Sequence, residues 1–168
     1  MKRIVTALLG IVAATSVYAQ SNPIPNLYRD ASRIYLDSKL VNGGGAEWLM
    51  AKSSDVKDYA ETISRPGYAA EGWRPAIVPG TVLNTLVYNN VYPEPYYGLN
   101  NKLESGLIPD VALVGREFYT SWFRCEFDIP KEFEGKYIWL QLDGINYRAE
   151  VWLNGPLLNF MSGMFRES

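Results

Sequence analysis

No histidine occurs anywhere in the chain. That absence rules out Cys–His pairs, Ser–His–Asp triads and the usual zinc ligand sets. Cysteine is almost as scarce: Cys125 stands alone, so an internal disulfide cannot form even where an oxidising compartment would permit one. It alternates in phase with Phe123, Phe127 and Ile129, the pattern of a thiol packed as a small hydrophobe. No block of Lys or Arg is present either. With 16 basic and 18 acidic residues the formal charge is −2, which leaves no electrostatic footprint for a polyanion, so nucleic acid is not an expected partner and membrane-surface binding has no support. The longest apolar run, Ile4 to Ala14, is about half of the roughly 20 residues a membrane-spanning helix needs.

That run has a different meaning. Residues 1–19 place Lys2 and Arg3 ahead of it and Val17-Tyr18-Ala19, a small-residue cleavage pattern, behind it, as a secretory signal peptide does. An uncleaved anchor is the alternative. The reading favours a soluble exported protein, periplasmic or extracellular, with no membrane partner after leader removal. A lipid-anchored precursor would need a cysteine at the cleavage point, and the lone Cys125 is far away. The remainder, about 150 residues, suits one domain.

Residues 20–46 are poorly patterned, with Pro23 and Pro25 early and Gly43-Gly44-Gly45 late. They read as an arm or linker with at most one short helix around Asp30 to Leu40. Residues 47–168 read as the domain. Glu47 to Lys52 is its expected first strand, with Trp48 and Met50 on one face, and Pro66-Gly67 marks a reversal. Thr81, after Pro79-Gly80, is a candidate N-cap for a short helix carrying Val82, Leu83, Leu86 and Val87. Pro93 and Pro95 keep Val91 to Asn101 out of helix or central strand. A loop dense in tyrosine is expected there, either covering a core edge or facing a sugar, since a tyrosine ring offers an apolar face and a hydroxyl rim.

Phe118 to Ile129 alternates clearly, with Tyr119, Phe123, Cys125, Phe127 and Ile129 inward and Phe118, Thr120, Trp122, Arg124, Glu126 and Asp128 opposite. Pro130 ends it. Lys136 to Leu142 alternates again and is expected to pair with it as the next antiparallel strand. After Gly144, Ile145, Tyr147, Ala149, Val151 and Leu153 form the apolar side of a further strand, closed by the hairpin dipeptide Asn154-Gly155. Pro156 lacks an N–H and places the returning strand at an edge or a bulge. Many short strands with frequent Gly and Pro predict an all-β fold, a β-sandwich of the jelly-roll kind with one or two short helices.

Three blocks carry a family likeness: VPGTVLNTLVYNNVYPEPYYGLNN at 78–101, YTSWFRCEFDIP at 119–130 and GINYRAEVWLNG at 144–155. In this order they resemble the amino-terminal, galactose-binding-domain-like jelly roll of family 2 glycoside hydrolases, within the group of exo-β-glucosaminidases, β-mannosidases and endo-β-mannosidases. The likeness covers about Trp48 to Phe165. It implies a parent enzyme acting on terminal β-linked sugars (β-mannoside, β-glucosaminide or β-galactoside), with catalytic carboxylates in a barrel domain that lies beyond this sequence. The chain is therefore expected to be truncated and inactive alone. The resemblance also implies two partners: a β-linked oligosaccharide and the barrel of the same parent chain. It gives a substrate-binding role to Tyr96, Tyr97 and Asn100, and to Asn146, Tyr147 and Arg148. Family 2 enzymes can carry metal ions near the active site, but no ligand cluster in this sequence points to one, and no cofactor is expected.

The bland reading stands beside it: Asn146 and Arg148 serve as turn support and a surface ion pair, and Trp73, Trp122, Trp139 and Trp152 are structural. A retaining glycosidase needs two carboxyl groups about 5 to 5.5 Å apart. Among Glu94, Asp110, Glu117, Asp143 and Glu150 no spacing makes such a pair compelling. Two other functions remain open: an autonomous carbohydrate-binding module, and a domain that only buttresses a barrel.

Overall fold

The computed structural model describes residues 33–163 and, as backbone, residues 3–11. Six strands make one antiparallel sheet: β1 (Arg3–Ile11), β2 (Glu47–Lys52), β3 (Arg74–Pro75), β4 (Thr120–Asp128), β5 (Arg148–Leu153) and β6 (Leu157–Ser162). Their order across the sheet is β3-β2-β4-β1-β5-β6. Three short helices, α1 (Ala60–Ile63), α2 (Val82–Tyr88) and α3 (Val111–Val114), lie in the connections. The all-β class is borne out, and the described strands supply one layer of the expected sandwich.

Apolar material covers both faces of this layer. Trp48 pairs with Cys125 and Met50 with Phe123, so these four side chains share a face, where Ala76, Val82 and Tyr119 complete a buried cluster. Leu36, Leu86 and Tyr92 pack against its rim. On the opposite face Trp122 and Ile63 are buried, with Tyr68, Trp73 and Trp152 packed around them. Both faces of β4 are therefore interior, and Trp122 and Arg124, on the face opposite the one expected to point inward, are buried. The covering segment is α1 with the turn after it, which local alternation in β4 has no means to reveal.

Several expectations hold at residue level. The β2 strand has the expected bounds. Thr81 caps α2, its hydroxyl accepting the Asn84 N–H at 2.9 Å, and the helix is tied to β3 because the Asn89 side-chain amide donates to the Pro75 carbonyl at 2.9 Å. Replacing Thr81 by Ala removes the cap, and a loss of about 1 kcal/mol in unfolding free energy is expected in urea titration. Asn154 and Gly155 both adopt positive φ. The turn joins β5 to β6, the Leu153 N–H donates to the Pro156 carbonyl at 3.0 Å, and β6 is an edge strand as Pro156 requires.

Two expectations are corrected. Lys136 to Leu142 is not a strand: no regular structure is assigned there, and Tyr137 and Trp139 project into solvent. Alternation gives a segment the capacity to pair, but pairing needs a free strand edge, and β1 occupies the edges of both β4 and β5. The second concerns Asp30 to Leu40: over residues 33–40 the chain is extended, bridges Ser38 to Ala46 and turns, without a helix. Residues 20–32 of the expected arm, and the expected leader apart from 3–11, lie outside the described residues.

Candidate functional site

The proline-bracketed segment folds as a chain of turns. The Tyr97 N–H donates to the Glu94 carbonyl at 3.2 Å, the Asn100 N–H to the Tyr97 carbonyl at 3.2 Å, and the Asn100 side-chain amide to the Glu94 carbonyl at 2.8 Å. Ser105 closes the turn from below, its hydroxyl donating to the Asn100 carbonyl at 3.1 Å. Tyr92 anchors this loop on the β2–β4 cluster, where burial pushes its phenol up. Tyr119 fastens the following segment by donating to the Pro109 carbonyl. The rings of Tyr96 and Tyr97 are then presented to solvent, 89% and 77% exposed. Asn100 is half-buried and structurally engaged, so its amide braces the loop that carries the two rings.

The second predicted group opens β5. Asn146 is half-buried, and Tyr147 and Arg148 are exposed. The Tyr147 carbonyl accepts the Gly163 N–H at 2.8 Å, and the Arg148 guanidinium lies 5.4 Å from the Phe160 ring centre on β6. Arg148 therefore supports the edge hairpin, close to the bland reading of its role. The two groups sit on different parts of the sheet: the tyrosine loop packs on the β2–β4 side, whereas Asn146 and Tyr147 lead into β5 and Arg148 is its first residue, with β1 between β5 and β4.

Four of the five carboxylates singled out in the sequence have local structural partners. Glu94 accepts the Tyr96 N–H at 3.3 Å, Asp110 caps α3 through the Ala112 N–H at 2.7 Å, Asp143 accepts from the Gln141 amide at 2.8 Å, and Glu150 from the Trp152 indole at 3.1 Å. Glu117 is exposed. Among the described residues no group of three or more His, Cys, Asp or Glu could hold a metal ion, and no helix is long and apolar enough to cross a membrane.

Sequence reasoning missed a shallow groove of about 670 Å³ at the open end of β2 and β4, lined among others by Tyr35, Glu47, Arg124, Glu126 and Asp128. Its carboxylates are already engaged, Glu47 with Lys39 and Glu126 with Arg124. The available signal was the acidic alternation Glu126, Asp128 on β4 opposite Glu47.

Cys125 is unreactive by construction. Its thiol is free and buried, and desolvation pushes it up to about 12 from an ordinary value of 9.0. Native protein should therefore resist iodoacetamide at pH 8 and be labelled only on unfolding, which mass spectrometry reads directly. The folded thiol keeps its proton where the unfolded one loses it, so this group's contribution to stability is complete below pH 9.0 and falls away as pH rises toward about 12.

Comparison with known proteins places this architecture. Residues 48–168 match the family described as Glycosyl hydrolase 2 galactose-binding domain-like, and the chain belongs to that family. It is 41% identical over 122 residues to a mannosylglycoprotein endo-beta-mannosidase of Lilium longiflorum, covering 71% of this chain and 12% of the relative. It is 30% identical over 109 residues to an exo-beta-D-glucosaminidase of Streptomyces avermitilis, covering 64% and 11%. A beta-galactosidase large subunit of Leuconostoc lactis is 25% identical over 156 residues, covering 84% and 24%. The chain thus spans about an eighth of the length of the first two relatives. No solved structure matches it at a significant level.

Proposed function

We propose that this chain is the non-catalytic sugar-binding domain of an exported family 2 glycoside hydrolase acting on terminal β-linked sugars. The supporting observation is the Tyr96–Tyr97 pair, two solvent-facing rings on a loop braced by Asn100 and anchored through Tyr92. Exposed rings on a rigid loop lose little freedom when a sugar's C–H face settles on them, and the hydroxyl rims reach its hydroxyl groups. Asn146, Tyr147 and Arg148 are the second candidate contact group, at the entrance to β5. Chemistry is assigned to a barrel domain of the parent chain, because the carboxylates here serve as caps and loop braces. The relatives named as endo-beta-mannosidase, exo-beta-D-glucosaminidase and beta-galactosidase support β-mannoside, β-glucosaminide and β-galactoside as the substrate range. Export is supported by the leader pattern of residues 1–19.

Calorimetric titration with β-linked disaccharides ending in mannose, glucosamine or galactose tests the reading. Tyr97→Ala is expected to weaken binding about tenfold, with the thermal midpoint unchanged because the ring is exposed. Equal affinity in wild type and variant would remove the loop from the site. An autonomous carbohydrate-binding module is the alternative: it would bind as tightly in isolation as within the parent enzyme, whereas a domain that helps to line the pocket of another domain binds more weakly alone, so the same titration on the isolated chain and on the parent separates the two.

A further inference from the structure

Strand β1 occupies a slot that the chain is able to fill from elsewhere. It pairs antiparallel with β4 from Arg3 opposite Asp128 to Ile11 opposite Thr120, and antiparallel with β5 from Ile11 opposite Arg148 to Thr6 opposite Leu153. Consequently β4 and β5 run parallel to one another with one strand between them. A chain leaving β4 at Asp128 and entering β5 at Arg148 must travel from the level of Arg3 to the level of Ile11, in β1's own direction, over about 27 Å. Residues 129–147 make that journey without regular pairing. Within them Tyr137, Trp139 and Gln141 alternate with Ile138, Leu140 and Leu142, and Tyr137, Ile138 and Trp139 are exposed. Pro130 and Gly135, with φ +73°, bound the stretch on one side and Asp143-Gly144 on the other, leaving short turns at 129–135 and 143–147.

We propose that β1 is a placeholder strand: once residues 1–19 leave, Lys136 to Leu142 moves into the slot and pairs with both β4 and β5. The inference rests on the leader reading given above. Direction and alternation match, seven residues are enough for the six-residue ladder with β5 and for most of the nine-residue ladder with β4, and the exchange covers apolar side chains that are otherwise in solvent. It also converts a long crossover into two tight antiparallel connections, which local pairing favours. The precursor and the exported chain then share five strands and differ in the sixth.

Hydrogen exchange read by mass spectrometry tests this on the full chain and on a Thr6→Pro/Leu8→Pro variant, which removes ladder donors from the middle of β1. In the wild type, amides of residues 138–140 should exchange as unprotected amides. In the variant they should slow by about 100-fold or more while β4 and β5 keep their protection. Unprotected 138–140 with β4 still protected would overturn the proposal, and so would unfolding of the variant, since nothing then replaced β1. Adding Leu140→Pro supplies a second readout: it is expected to leave the wild-type melting midpoint unchanged and to unfold the double-proline variant, and equal effects in both backgrounds would also overturn it. The mass of the exported chain reports leader cleavage separately, so failure of the leader reading is distinguishable from failure of the exchange.

Discussion

Replacing Arg124 by methionine is expected to lower the unfolding free energy by about 3 kcal/mol, read as a drop in the urea midpoint with the slope unchanged. The residue is only 4% exposed, and its guanidinium meets three acceptors. Nε donates to the Ile63 carbonyl at 2.9 Å, Nη2 to the Arg65 carbonyl at 3.0 Å, and Nη2 also to the Glu126 carboxylate. Glu126 in turn accepts the Gly67 N–H at 2.9 Å. A single side chain on β4 thereby fastens the turn that follows α1, some 60 residues earlier in sequence, and with it the cover over Trp122. Methionine keeps much of the apolar stem but takes the donor from the Ile63 and Arg65 carbonyls, each of which costs about 1–3 kcal/mol where water does not reach, while Glu126 keeps the Gly67 N–H and some exposure. Arg124→Lys should fall between, because an ammonium keeps the charge and loses the planar fork. Glu126→Gln should cost less than either, as its side chain is 26% exposed and water compensates in part.

Gly44→Ala is expected to cost about 2–3 kcal/mol, measured as a fall in the thermal midpoint. A Cβ at this position would stand 2.0 Å from the Ser38 carbonyl oxygen and 2.8 Å from that of Asp37. Both obstacles are backbone, so neither yields by a rotamer change. The turn is held from several directions: the Gly44 N–H donates to the Val41 carbonyl at 2.9 Å, the Ala46 N–H to Asp37 at 2.9 Å, and the Ser38 N–H to Val78 at 2.6 Å. Relief requires moving this turn away from the start of β2. Gly45→Ala is the control, since a Cβ there meets nothing within 4 Å.

These two residues also mark the limit of what is legible in the sequence. Local rules sufficed where the interaction is local: the bounds of β2, the Thr81 cap, the turn-forming Asn154-Gly155 and the edge position signalled by Pro156 all follow from residues within a few positions of each other. Gly44 read as part of a flexible arm, because the carbonyl that excludes its Cβ belongs to Ser38 and becomes a neighbour only when the turn closes. Arg124 read only as a residue on the face away from the expected core, because its acceptors lie on a segment far back in the chain. Lys136 to Leu142 has strand alternation in full, but β1 takes the partner edges. The loop itself was legible from Pro93 and Pro95, which forbid regular structure; that Tyr92 packs on the core while Tyr96 and Tyr97 face solvent was left open. The placement of Asn146 to Arg148 on a different part of the sheet depends on strand order, which no local pattern encodes.

The central claim is that this domain recognises sugar through the Tyr96–Tyr97 loop and leaves bond cleavage to another part of its parent. Amide chemical shifts recorded during titration with β-linked disaccharides ending in mannose, glucosamine or galactose, with the sugar analysed afterwards, test it most directly. Saturable shifts centred on Tyr96, Tyr97 and Asn100, with every disaccharide recovered intact, are the predicted result. Release of monosaccharide by this chain, or saturation that leaves the loop unperturbed, would contradict it.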